Sequence, residues 1–103
     1  MNNISISELQ RLVKKIDYKN NCIDKYFYKL SEEVGELAKA IRKDERLEKR
    51  ENIKGTIEEE LYDVIYYVVC LANMYDIDLE QCALLKEKLN AEKYNRKSIF
   101  EVE

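Results

Sequence analysis

The sequence predicts an all-α fold, a four-helix bundle-like chain completed by oligomerisation. Three observations lead there. The 103 residues include no proline and only two glycines, so the tight turns of a β-sandwich or barrel have nothing to build them. Apolar residues recur at helical spacing along most of the chain. The third helical segment carries more apolar surface than so short a chain can easily cover. No Pro/Gly/Ser-rich linker and no internal repeat divides the sequence, so residues 1–103 are expected to form a single domain.

The first helix opens at Ser5 with Glu8 three residues on, a capping box, and Ile4 is placed to staple against Leu9. Ile6, Leu9, Val13 and Ile16 follow at helical spacing, and Asn20 and Asn21 end the segment. The second helix runs from Ile23 to Lys43 along a stripe of Phe27, Leu30, Val34, Leu37 and Ile41. Residues 44–54 are charge-dense and lack an apolar face, which predicts a solvated connection with room for one extra helical turn, broken at Gly55. Thr56 and Glu59 form a second capping box, and the third helix continues to Tyr75 along Leu61, Val64, Val68 and Leu71. The fourth opens with Asp78 and Gln81, carries Leu85 and Leu89 inward and frays after Tyr94. On the third helix Ile65, Tyr66, Val69 and Cys70 cover most of the remaining circumference. A helix apolar nearly all round is buried nearly all round. This predicts a second copy of the chain against it, with Val69 facing that copy.

Composition removes several classes of function. Eighteen Lys and Arg against 21 Asp and Glu leave a net charge of -3, without the basic excess of a nucleic-acid binder. The longest uncharged apolar run, residues 64–72, is far shorter than the roughly 20 residues that span a bilayer. The first ten residues lack a hydrophobic signal core. Three cysteines, none at CxxC spacing, read as reduced and mostly packing residues. Together these predict a cytoplasmic protein that engages neither membrane nor nucleic acid. The absence of histidine excludes His-based triads, bases and metal ligands.

What chemistry remains is carried by carboxylates. The second helix contains Glu33 and Glu36, the third Glu60 and Asp63, both pairs at i, i+3. At about 100° per residue each pair falls on the same rotational side of its apolar stripe. Two helices packed antiparallel through those stripes can aim four acids at one volume. Two like charges about 4 Å apart repel by about 4 kcal/mol at an effective dielectric of 20. Such a cluster protonates or binds cations, and an all-carboxylate ligand set suits Mg2+ or Mn2+. Glu32 lies on the far face of its helix, towards solvent. Gly35, inside the first pair, costs roughly 1 kcal/mol relative to Ala, and is either kept for a close approach by backbone or ligand or is tolerated drift. Lys29, four residues before Glu33, stands on the acid side, and Lys86, Asn90 and Tyr94 line one face of the fourth helix at i, i+4, i+8. A lysine and an amide so placed suit a phosphorylated ligand.

The segments KLSEEVGELAKAIRK (29–43) and EEELYDVIYYVVCLA (58–72) resemble the MazG-like nucleotide pyrophosphohydrolases of the all-α NTP pyrophosphatase superfamily. Their signature is ExxE, a gap and ExxD, filled here by Glu33, Glu36, Glu60 and Asp63 with 23 residues between Glu36 and Glu60. The resemblance implies Mg2+ held by those four acids and hydrolysis of an NTP or dNTP to the monophosphate and pyrophosphate. It also implies removal of non-standard or excess nucleotides by a homodimer or homotetramer. Glu33 or Glu36 is then the residue that activates water. Members carry a Lys, an Asn and a Tyr on the last helix that meet the nucleotide, matched by Lys86, Asn90 and Tyr94, although KYN (93–95) stands where many read RYP. The phosphoribosyl-ATP pyrophosphohydrolases share the acid pattern, and a non-catalytic helical module that binds nucleotide or metal is the competing class.

Overall fold

The computed structural model describes residues 3–101. Four helices form in order: α1 (Ile6–Ile16), α2 (Ile23–Arg42), α3 (Ile57–Met74) and α4 (Leu79–Lys93), with short 3-10 turns at Leu47–Lys49 and Ile99–Glu101. The starts of α1, α3 and α4 follow their capping residues. Ser5, Thr56 and Asp78 accept hydrogen bonds from the backbone N–H groups of Glu8, Glu59 and Gln81. Each satisfies a donor that the first helical turn leaves unpaired. At α3 the reciprocal bond of the capping box shifts by one residue: Glu59 accepts from the N–H of Gly55, at 2.7 Å. Gly55 has φ of 79°, the left-handed region that favours glycine. α1 closes at Asp17, before the two asparagines expected to end it.

Helix α3 is the middle element, with α2 packed along one side and α1 on the other, and α4 rests on α1. The core gathers Val13, Tyr26, Val69 and Cys70, ringed by Ile6, Leu9, Cys22, Tyr66, Tyr67, Leu71, Met74 and Leu79. Two polar clasps fix this arrangement. Asp17, at the end of α1, accepts the hydroxyls of Tyr26 on α2 and Tyr66 on α3, both at 2.7 Å. Gln10 donates to Asn73 Oδ1 at 3.1 Å and to the Ile77 carbonyl at 2.8 Å, and accepts from the N–H of Leu79. Asn73, buried on α3, returns a bond to the Gln10 carbonyl at 3.0 Å. Buried polar groups so fully paired hold a helix crossing in one register.

Several expectations about facing are corrected. The side of α2 turned inward is Tyr26, Leu30, Glu33, Leu37 and Ala40, while Phe27, Val34 and Ile41 of the expected stripe are exposed. On α3, likewise, Leu61, Val68 and Tyr75 are exposed, and the acid-bearing side meets α2. Part of each apolar stripe is thus left open, while Leu30, Leu37, Val64 and Leu71 stay half-buried and the acid rim joins them in the seam. Val69 is 0% exposed within its own chain, because α1 packs over it. It does not face a second copy. Leu85 and Leu89 point outward, and the one buried side chain of α4 is Glu87. Glu87 is held by Arg96 and by the N–H of Ile99 at 2.8 Å, which ties the segment after α4 back onto it. A Cβ at Gly35 would meet nothing within 4 Å, so no close backbone approach within the chain requires that glycine.

Candidate metal centre

Because the acid side of each helix lies in the α2–α3 seam, Glu33, Glu60 and Asp63 converge. One carboxylate oxygen from each lies within 4.8 Å of the others. Glu60 is 8% exposed, and its Oε2 is buried without a hydrogen-bond partner among the described residues. A buried charged oxygen left unpaired is costly, so such atoms mark places where a proton or an ion completes the site. The acids respond as a crowded group. Burial, followed by the charges of Glu33 and Asp63, pushes the Glu60 carboxyl up to about 7. Glu33 is raised by burial and by Asp63 against the opposing pull of Lys29, and Asp63 is raised by burial and by Glu59.

Glu36, the fourth acid of the motif, is not part of this trio. It sits one turn on from Glu33 at the flank of the inward face, exposed, with Oε1 4.0 Å from Lys39 Nζ. It shares with Glu60 a small cavity on that side. The spacing therefore brings three of four carboxylates together and leaves Glu36 beside them. The trio matches the all-oxygen donor set of a hard divalent cation, which keeps waters and substrate oxygens in its remaining positions.

Two cavities flank the acids. One, of about 370 Å³, is lined by Asp17, Lys19, Cys22, Lys25, Tyr26, Tyr28, Lys29 and Tyr67. That volume is on the scale of small-molecule sites, and its wall is aromatic with lysines at the edge. Lys29 binds Glu32 at 3.2 Å and lies 5.9 Å over the Tyr67 ring, at the border between this cavity and Glu33. Glu32 is itself exposed, as its rotational position requires. The other cavity, of about 170 Å³, opens towards the α2–α3 connection. Lys86, Asn90 and Tyr94 lie on α4, with Lys86 and Tyr94 exposed and Asn90 half-buried, and none of them lines either cavity. Sequence reasoning missed Asp17, Gln10 and Asn73, whose partners lie far along the chain.

The MazG nucleotide pyrophosphohydrolase domain family matches residues 23–97, which include all four acids. This chain belongs to that family. Two crystal structures of iMazG from Vibrio DAT 722 are similar to it. One, carrying an N-terminal tag, is 47% identical with a TM-score of 0.79, covering 90% of this chain and 100% of that one. The other, C-terminally tagged, is 46% identical with a TM-score of 0.77, covering 84% and 98%. Uncharacterized protein YpjD of Bacillus subtilis (strain 168) is 44% identical over 55 residues, 52% of this chain and 50% of that protein, so the match spans about half its length. The iMazG structures share the all-helical architecture found here. No helix among the described residues is long and apolar enough to cross a membrane.

The raised Glu60 carboxyl has a consequence for stability. Its folded value lies above the unfolded value, so the folded chain holds the proton more tightly. The resulting stabilisation is present in full below the ordinary 4.5 and is lost as pH rises through about 7. In chelator-treated protein, Tm should therefore fall between about pH 5 and about pH 8. Glu60→Gln should flatten that fall. An unchanged pH profile in the variant would show that Glu60 is not the group responsible.

Proposed function

We propose that this protein is a Mg2+-dependent nucleoside triphosphate pyrophosphohydrolase, converting an NTP or dNTP and water to the monophosphate and pyrophosphate. Non-standard or excess nucleotides in the cytoplasm are its proposed substrates. The observation that carries this reading is the buried Glu60 carboxylate beside Glu33 and Asp63, whose Oε2 has no partner among the described residues. Family membership supplies the reaction class.

In this reading Glu33, Glu60 and Asp63 hold the cation, with Glu36 joining from the flank. The metal, Mg2+ or Mn2+ in its place, would polarise the phosphates and lower the pKa of a water. Glu33 or Glu36 orients the attacking water and takes its proton. The water oxygen bonds to the α-phosphorus, and the bond from that phosphorus to the bridging oxygen breaks. The bridging oxygen leaves with its electron pair on the diphosphate. Lys29 offsets phosphate charge, and the aromatic cavity beside it receives the nucleoside. Lys86, Asn90 and Tyr94 complete the contacts to the nucleotide within an assembly. Phe27, Val34 and Ile41 on α2, with Leu61, Ile65 and Val68 on α3, leave an apolar face open. A second copy covers it in a homodimer or homotetramer.

Product analysis tests the chemistry. With Mg2+ and a triphosphate, 31P NMR should show pyrophosphate and monophosphate appearing together, and orthophosphate as the first product would contradict the choice of bond. Glu60→Gln and Asp63→Asn should each lower kcat/KM by about 100-fold or more. Glu32→Gln should stay near wild type, and a loss equal to that of Glu60→Gln would refute the assignment of the inward face. For the assembly, Ile65→Lys should leave helical content intact but lower the sedimentation coefficient. A variant that sediments as the wild type would show that the open face is not the contact.

A further inference from the structure

The smaller cavity beside the acids has a composition unlike the aromatic one. Its lining is Glu36, Lys39, Ala40, Lys43, Glu45, Arg50, Gly55 and Glu60. It is built from three pieces of chain held together by backbone bonds. Glu45 donates its N–H to the Ala40 carbonyl at 3.0 Å and accepts from the N–H of Ile57 at 2.8 Å, which clamps the connection between the last turn of α2 and the first of α3. Glu60, whose carboxylate carries the unpaired buried oxygen, belongs to its wall.

The charges in this cavity do not cancel once the acids are engaged. Arg50 pairs with Glu45, and Lys39 reaches only to 4.0 Å from Glu36. Lys43 forms no ion pair among the described residues. If Glu36 and Glu60 serve a cation, Lys39 and Lys43 are left as positive charge facing a polar cavity. Their position along α2 matters as well. Lys29, Glu36 and Lys43 recur every seven residues on one flank of the helix, so a lysine stands about 10 Å to either side of the acid. The aromatic cavity adjoins the Lys29 end and the polar cavity the Lys43 end. A water takes about 30 Å³ of liquid volume, so about 170 Å³ equals about six waters, the scale of a diphosphate and less than a nucleoside needs.

We propose that this cavity is the site for the two terminal phosphates, which leave as pyrophosphate, with Lys39 and Lys43 as the residues that hold them. This rests on the reaction proposed above and adds its polarity: nucleoside towards Lys29, diphosphate towards Lys43, the bond to be broken over the acids. Charge-assisted hydrogen bonds to phosphate oxygens would make Lys43 a determinant of the polyphosphate tail and not of the base.

Isothermal titration calorimetry of pyrophosphate into the full chain at saturating Mg2+ tests it, with the nucleoside monophosphate titrated separately. Wild type should bind pyrophosphate, Lys43→Gln should weaken it about tenfold, and monophosphate affinity should change less than about twofold. Lys43→Arg should recover most of the loss. Lys49→Gln, which removes an exposed charge of the same connection outside the cavity, should change neither. No pyrophosphate binding by wild type, equal affinity in Lys43→Gln, or an equal loss for the monophosphate would each overturn the assignment. The activity stands apart from this test. A chain that binds pyrophosphate through Lys43 but cleaves no triphosphate would refute the reaction and keep the site. A chain that releases pyrophosphate while Lys43→Gln binds it normally would refute the site alone.

Discussion

Three carboxylates packed into the contact between α2 and α3 are the constraint on which the rest of the fold turns. A helix seam normally gathers apolar side chains, and here Glu33 lies at the centre of the inward face of α2, against Glu60 and Asp63 of α3. Burial and mutual repulsion oppose ionisation of such a group and push the Glu60 carboxyl up to about 7. Packing elsewhere has to offset that. Tyr26 and Ala40 close the seam at the two ends of α2, and Val69 and Cys70 bind α3 to α1. The Asp17 clasp uses charge in the opposite way. Burial works to raise its carboxyl, yet the two phenol hydrogen bonds outweigh it and hold the group below its ordinary value. One half-buried carboxylate is thus satisfied twice over, while Glu60 Oε2 has no partner among the described residues.

The helices and the acids were legible in the sequence because both depend on short spacings. Capping at Ser5, Thr56 and Asp78 follows from residues three apart, and ExxE and ExxD place acids one turn apart on a known side. What periodicity does not carry is which face of a helix its own chain will cover. On α2 the stripe through Phe27, Val34 and Ile41 is as regular as the one through Tyr26, Leu30 and Leu37, and the two differ by under a third of a turn. The chain covers the second. The same ambiguity misplaced Val69, which lies opposite the acids as its rotation demands but meets α1. It also turned Leu85 and Leu89 inward, where the structure buries Glu87 instead. Apart from Asp17 with Tyr26, the clasps at Gln10, Asn73 and Asp17 join residues 49 to 69 positions apart, and no local pattern announces such partners.

The open stripe and the crowded seam belong to one design. Placing the acids inward on α2 and α3 turns the apolar residues beside them outward, because both faces share the same two helices. The site is therefore built at the cost of an uncovered surface. Fold and family agree with the iMazG structures across nearly the whole of those chains. Along α2 the environments follow in order: an aromatic cavity, the acids, then a small polar cavity. A polyphosphate with a nucleoside at one end has the same order of chemistry.

Binding of Mn2+ to the chain, followed by loss of the free-ion EPR signal, tests the claim that the seam is organised around a cation. At pH 8, wild type should show saturable binding, and Glu60→Gln should weaken it about tenfold or more while keeping its helical circular dichroism. Equal affinity in the two proteins, or no saturable binding by wild type, would contradict the account.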